Sequence, residues 1–183
     1  MLAWSIEAAK DSGCFERVIV STDDEEIASV ARHFGAEVPF LRPSYLAGDH
    51  SSTQVVIKHA IEWLAKQSKD ISAVCCLYAT APFVQPQDLQ LSMDCLQESR
   101  PETVVFSATT FSYPIQRAIH IDSDGYAVMF KPEYFSKRSQ DLVEAYHDAG
   151  QFYWATSETW LRVANLFEGM RPFLLPRWRV QDI

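Results

Sequence analysis

Arg17-Val-Ile-Val-Ser-Thr-Asp23 is the stretch that decides the reading of this chain. Val18, Ile19 and Val20 form an apolar run too short for a helix, and the run ends in Ser21-Thr22-Asp23-Asp24. A buried parallel strand that delivers polar residues to its carboxyl end has this pattern. A helical pattern closed by Gly35 follows, then the loop Arg42-Pro-Ser-Tyr-Leu-Ala-Gly-Asp49, then a second helical pattern. Arg17 to His59 is therefore expected to be a β-α-loop-α module. Its ligand edge should lie at the carboxyl end of the strand, as in other open α/β sheets.

Upstream, Leu2, Ala3, Ile6 and Ala9 share one helical face, and Gly13 supplies a stop. After the strand, Asp23 or Asp24 can cap the next helix, with Glu25 and Glu26 in its first turn. Ile27, Val30, Ala31 and Phe34 are its expected buried stripe. Ala36 to Leu41 reads as a short strand, and Pro39 places it at an edge. Ser51-x-x-Gln54 has the form of a capping box for a helix over 53–67. Val56, Ile57, Ala60, Ile61 and Leu64 would face inward from it.

Ala73-Val-Cys-Cys-Leu77 is the next expected buried strand. Pro86 suits the first turn of a helix bearing Leu89, Met93 and Leu96, and Thr103 to Ala108 reads as a strand. Around Asp122-Ser-Asp-Gly125, Ala118 to Ile121 and Tyr126 to Phe130 give a hairpin signal. The polar and aromatic texture of 111–146 fits an insertion that covers substrate or forms a dimer contact. Gln151 to Ala155 returns as a strand, Ser157 can cap a helix reaching about Leu166, and Phe173 to Leu175 is a last short strand. This order predicts one α/β domain over 1–183, with three layers and a mostly parallel sheet.

Composition narrows the possibilities. The 183 residues have the size of one domain, and 48% of them are apolar, as in a folded globule. A formal net charge of -8 argues against a general nucleic-acid binder, which needs a basic face. No apolar run approaches the roughly 20 residues of a membrane span. Met1-Leu-Ala-Trp4 is soon interrupted by Glu7 and Lys10, unlike a signal peptide. Cys14, Cys75, Cys76 and Cys95 have no metal spacing and read as reduced core thiols of a cytoplasmic protein. Cys75 and Cys76, adjacent on a strand, should point to opposite faces.

Several residues could carry chemistry. Arg42 can hold a phosphate or carboxylate through its planar fork, or pair with a surface carboxylate. Asp49-His-Ser-Ser-Thr53, which includes Ser51, can cap the following helix and also bind ribose hydroxyls or phosphate at its start. Tyr78-Ala-Thr-Ala-Pro82 places Thr80 at the mouth of the sheet, or forms a plain turn. Tyr146-His-Asp-Ala-Gly-Gln-Phe-Tyr153 packs polar groups against a strand entry, where Gly150 permits close approach of the backbone. His147 can act as acid or base near neutrality, or serve as a structural hydrogen-bonder. Asp182 can bind Mg2+ if it has acidic company. Nothing supports a zinc site, a Ser-His-Asp triad or a Rossmann glycine fingerprint.

Taken in order, four segments resemble the acylneuraminate cytidylyltransferase family. They are Val20-Ser-Thr-Asp-Asp-Glu-Glu-Ile-Ala28, Gly35-Ala-Glu-Val38, Arg42-Pro-Ser-Tyr-Leu-Ala47 with Asp49, and His59-Ala60. Cys76-Leu-Tyr-Ala-Thr-Ala-Pro-Phe83 and Tyr146 to Trp154 are most similar to the members that take pseudaminic acid. Sialic acid members typically read Leu-Gln-Pro-Thr-Ser-Pro-Leu-Arg at the first of these, whereas Tyr78 stands in the Gln place and Val84 in the Arg place.

The resemblance implies a Rossmann-like nucleotidyltransferase that transfers CMP from CTP to the anomeric hydroxyl of a nonulosonic acid, with Mg2+, as a homodimer. It places Arg42, Asp49 and Ser51 on the nucleotide side. Tyr78, Thr80, Asp148, Gln151, Phe152 and Tyr153 fall on the sugar side, and Asp182 is the metal ligand. N-acetylneuraminic and legionaminic acids are the alternative sugars, and a non-catalytic sugar-binding domain is the alternative of another kind. The family's opening strand and its Gly-, Ser-, Lys- and Arg-rich phosphate loop have no counterpart in these residues, nor has the second Asp of its metal motif. The resemblance therefore implies weak CTP binding and slow or no turnover by the 183 residues alone.

Overall fold

The computed structural model describes residues 1–48, 51–67, 70–162 and 169–181. In chain order the helices are α1 (Leu2–Ser12), α2 (Glu25–His33), α3 (Thr53–Ala65), α4 (Pro86–Gln97) and α5 (Ser157–Arg162). The strands are β1 (Ala73–Leu77), β2 (Val104–Thr110), β3 (Ile119–Ile121), β4 (Ala127–Met129), β5 (Tyr146–Thr156) and β6 (Met170–Leu174). β1, β5, β2 and β6 form a four-stranded sheet in that order, and β3 pairs with β4 in a separate hairpin.

Alternation along the strands creates the three layers. Cys75, Leu77, Phe152, Trp154 and Val105 face α1 and α4, where Ala8, Leu89, Met93 and Leu96 close over them. Val74, Cys76, Tyr153, Ala155, Val104 and Phe106 face α3 and α5, against Ile61 and Trp160. Cys75 and Cys76 thus point to opposite faces, as expected. Burial pushes the Cys76 thiol up to about 12 and that of Cys75 well above its ordinary value, so both are inert core groups.

The α/β class and the three layers stand, but the sheet is mixed rather than mostly parallel. β5 runs antiparallel to both β1 and β2, and only β2 and β6 are a parallel pair within it. The cause is the 111–146 segment. It closes a long hairpin between β2 and β5, with Phe111 N–H donating to the Ala145 carbonyl at 3.0 Å. Strands joined at adjacent ends must run antiparallel.

The Arg17–Asp23 stretch and the Ala36–Leu41 stretch are also smaller than expected. Each is reduced to one bridge residue, Ile19 paired in parallel with Glu37. Val20 N–H donates to the Glu37 carbonyl at 2.9 Å, and Glu37 N–H donates to the Val18 carbonyl at 2.8 Å. Val18 and Val20 pack with Ile6, Ala31 and Ala36 in a cluster of their own, apart from the sheet's two cores.

Asp24 caps α2, its Oδ1 accepting from Glu26 N–H at 2.7 Å and Ile27 N–H at 3.0 Å. The α2 stripe is shifted: Ala28 and Ala31 are buried, whereas Ile27 and Val30 are exposed, because α2 packs on α1 and not on the sheet. Ser51 does not form the expected capping box; α3 begins after Ser52 and has no side-chain cap. Thr156, not Ser157, caps α5, its Oγ1 accepting from Thr159 N–H at 3.1 Å. The expected extent of this helix to Leu166 lies outside the described residues. Among the described residues, no helix is long and apolar enough to cross a membrane.

Candidate active site at the bulge of β5

The pairing of β2 with β5 breaks in the middle. Phe106 opposes Tyr153 and Ala108 opposes Asp148, so Ser107 alone faces Ala149, Gly150, Gln151 and Phe152. The buried Ser107 Oγ accepts from Gln151 N–H and Phe152 N–H, each at 3.1 Å, and so satisfies backbone groups that the ladder has lost. Asp148 Oδ1 accepts from Gly150 N–H at 2.8 Å. Gly150 sits at φ 61°, a backbone conformation that a side chain would strain. Bulges of this kind re-aim side chains beside active sites.

The side chain re-aimed here is Asp148. Its second oxygen accepts from the Tyr153 hydroxyl. Burial, then the Asp148 hydrogen bond and charge, hold the Tyr153 phenol well above its ordinary range, so it keeps its proton. Tyr78, directly after β1, lays its ring beside Tyr153 with centroids 5.6 Å apart. The Tyr78 hydroxyl lies 3.0 Å from Thr53 Oγ1, at the first residue of α3. Thr53, Tyr78, Tyr153 and Asp148 thus form one polar row across the end of the sheet at which β1 finishes.

The other expected sugar-side residues are placed differently. Phe152 is wholly buried on the opposite face of β5, packed with Phe173, and its ring takes no part in the row. Gln151 is buried and turns its Nε2 to the Arg179 carbonyl at 2.7 Å. Thr80 is exposed in the turn after β1. His147 has Nδ1 at 2.8 Å from the Asp148 carbonyl. A carbonyl only accepts, so this nitrogen carries the hydrogen.

Of the residues expected on the nucleotide side, Arg42 donates its N–H to the Thr22 carbonyl at 2.7 Å and pairs its Nη2 with Asp23 Oδ1 at 3.1 Å. That hydrogen bond, foremost, lowers the Asp23 carboxyl below its ordinary value. Among the described residues, Arg42 Nε is buried without a partner, as is Ser21 Oγ. Ser51 is half-buried, its N–H donating to the Gly48 carbonyl at 2.9 Å. Asp49 and Asp182 lie outside the described residues.

The chain leading to Asp182 is nevertheless tied to the site. Leu175 N–H donates to the Ala108 carbonyl at 2.8 Å, and Thr109 Oγ1 donates to the Leu175 carbonyl at 2.9 Å. Arg179 forks onto Asp88 at the start of α4, and its carbonyl receives Gln151. Among the described residues, no three His, Cys, Asp or Glu side chains gather closely enough to hold a metal. The described residues therefore do not form a Mg2+ cage, although Mg2+ in nucleotide sites often takes only one or two carboxylates besides phosphate. A cleft of about 550 Å³ lies at the other end of the sheet, among Ser72, Glu102, Thr156 and Arg162, and contains no residue of the row.

Sequence reasoning missed Ser107, Thr53 as a partner of Tyr78, and the Arg179–Asp88 pair. Only Ser107 left a signal, as a polar residue inside the apolar run Val104-Val-Phe-Ser-Ala108.

A cytidylyltransferase family model matches residues 1–159. The chain is 42% identical to a pseudaminic acid cytidylyltransferase of Campylobacter jejuni subsp. jejuni, over 100% of this chain and 79% of that protein. It is 34% identical to a CMP-N,N'-diacetyllegionaminic acid synthase of Legionella pneumophila subsp. pneumophila, over 96% of this chain and 75% of that protein. A CMP:2-keto-3-deoxy-manno-octonic acid synthetase structure, complexed with CTP, superposes with a TM-score of 0.64 at 15% identity, covering 95% of this chain and 78% of that one. That likeness is one of fold, the Rossmann-like nucleotidyltransferase fold. With a family model spanning most of its length, this chain belongs to the cytidylyltransferase family.

Proposed function

We propose that this chain transfers CMP from CTP to the anomeric hydroxyl of a nonulosonic acid, releasing pyrophosphate, with pseudaminic acid as its preferred sugar. The observation that carries the reading is the 42% identity over the whole chain to the Campylobacter jejuni pseudaminic acid cytidylyltransferase. That span includes both the Arg42 loop and the bulge of β5. The lower 34% identity to the legionaminic acid enzyme makes legionaminic acid the second choice.

Such phosphoryl transfer depends on positioning and on neutralising charge. We assign Arg42, Asp49 and Ser51 to the nucleotide. Among the described residues the Arg42 guanidinium is not fully satisfied, its Nε being buried without a partner, which supports a role in holding an anion. We assign Tyr78, Asp148 and Tyr153 to the sugar, because they converge in one row. Asp182 would hold Mg2+ together with the CTP phosphates, and the ion would supply charge neutralisation there. The four free thiols suit a reducing compartment, which favours the cytoplasm.

We also infer a homodimer joined through 111–146. β3 and β4 form an isolated two-stranded hairpin that leaves Ile119, Ile121, Tyr126 and Phe130 exposed. A lone hairpin is marginal in water and gains stability from a covering partner. A second copy supplies the same apolar surface in self-complementary form.

The experiment is a comparison of kcat/KM for pseudaminic, N,N'-diacetyllegionaminic and N-acetylneuraminic acids at saturating CTP and Mg2+. Pseudaminic acid is expected to lead. Sugar binding without turnover of any of the three would favour a non-catalytic sugar-binding domain instead.

A further inference from the structure

Counting protons in the polar row shows what it can recognise. Asp148 is an acceptor at both oxygens, filled in part by Gly150 N–H and the Tyr153 hydroxyl. The single proton of Tyr153 is committed to Asp148, so its oxygen has only lone pairs left. Its raised proton affinity keeps it in that state at every working pH. The opposite ends of the row are held by the backbone bulge and by α3, so these directions are fixed before any ligand arrives. A carboxylate has about four lone-pair positions, and among the described residues two on Asp148 stay open. Asp148 is half-buried, at the mouth and not in the core.

We infer that Asp148, oriented by Tyr153, is a specificity-determining acceptor that recognises a hydrogen-bond donor on the sugar, namely the N–H of an acylamino substituent. This rests on the sugar-side assignment above and names the group that is read. A fixed negative acceptor repels the sugar's own carboxylate, which must then lie away from Asp148. The inference also separates the roles of two neighbours. Asp148 touches the substrate, and Tyr153 acts through Asp148 as a positioning residue.

The test pairs a change in the protein with a change in the substrate. The sugar with its acylamino N–H and an analogue with that nitrogen methylated are compared on the wild type, on Asp148→Asn and on Tyr153→Phe. A hydrogen bond to a charged acceptor corresponds to a loss on the order of tenfold or more when the donor is removed. The wild type should lose about that factor in sugar KM with the methylated analogue, while the KM for CTP stays unchanged. Asp148→Asn should weaken the natural sugar by a similar factor and discriminate little between the two sugars. Tyr153→Phe should keep the discrimination and raise both KM values a few-fold.

Equal losses with both sugars in Asp148→Asn would reduce Asp148 to a structural role and overturn the inference. Calorimetric binding of the two sugars to the same three proteins reads the comparison without turnover. Turnover of a nonulosonic acid with equal affinity for both sugars overturns this inference and leaves the proposed function standing. No binding and no turnover of any nonulosonic acid by the wild type overturns both.

Discussion

Arg179 grips both carboxylate oxygens of Asp88, with Nη2 at 3.1 Å from Oδ1 and Nη1 on Oδ2. The two side chains are 14% and 10% exposed, so the pair is largely removed from water. Asp88 is also the third residue of α4, and its Oδ2 accepts from Gln85 N–H at 3.3 Å. One carboxylate thus caps a helix and anchors the chain that leads to Asp182.

Removing one partner leaves a buried charge unpaired, which costs about 3–5 kcal/mol. Asp88→Ala is expected to lower unfolding stability by that order in urea titration. Replacing both partners with apolar groups avoids the stranded charge. The double variant Asp88→Leu with Arg179→Met should therefore recover much of the loss. A double variant no better than Asp88→Ala would show that the cap, rather than the ion pair, carries the effect.

Ser107→Ala tests the bulge. The variant leaves the Gln151 and Phe152 N–H groups buried without their acceptor, at about 1–3 kcal/mol for each unsatisfied group. Urea unfolding should show a loss of at least about 1 kcal/mol. Hydrogen exchange at these two amides should speed up more than at Val105 on the same sheet. Uniform acceleration across β2 and β5 would mean that Ser107 supports the strand in general and not the bulge.

The Asp23–Arg42 pair provides a pH reporter for the proposed nucleotide contact. Arg42 lowers the Asp23 carboxyl, so the pair is intact above the ordinary carboxylate range and is lost as pH falls through the lowered value. Arg42→Gln should raise the Asp23 midpoint toward its ordinary 3.8 in a carboxyl NMR titration. CTP that draws Arg42 onto its phosphates should raise it in the same direction. CTP binding that leaves the Asp23 midpoint unmoved would remove Arg42 from the nucleotide contact.

How much of this was legible depended on how local each signal was. α1 ends at Gly13, Asp24 caps α2, Pro86 opens α4 and β1 spans Ala73–Leu77 as their own residues dictate. The strand at Arg17–Asp23 needed a neighbour in the sheet, and its pairing stops at Glu37. β5 starts at Tyr146 and not at Gln151, because its first residues pair with Thr110, Thr109 and Ala108 across the bulge. No local pattern announces that register.

Within the site, alternation alone sets Phe152 and Tyr153 on opposite faces of β5, so only one of the two rings could join the row. The tie between Arg179 and Asp88 spans 91 residues and left no trace in spacing. Polar pairs of that separation are fixed by topology.

The hairpin predicts association. Ile121→Glu places a charge on a strand residue that is 64% exposed and makes no core contact. Monomer stability should change by no more than about 0.5 kcal/mol. Light scattering should shift from dimer to monomer mass. A wild type that is monomeric at the same concentration would overturn the dimer.

The most direct measurement is phosphorus NMR of the purified protein with CTP, Mg2+ and pseudaminic acid. The account predicts slow, sugar-dependent loss of the CTP resonances, with pyrophosphate and a single phosphodiester signal from the CMP-sugar appearing together. Unchanged CTP in the presence of a sugar that calorimetry shows to be bound would contradict the transferase reading.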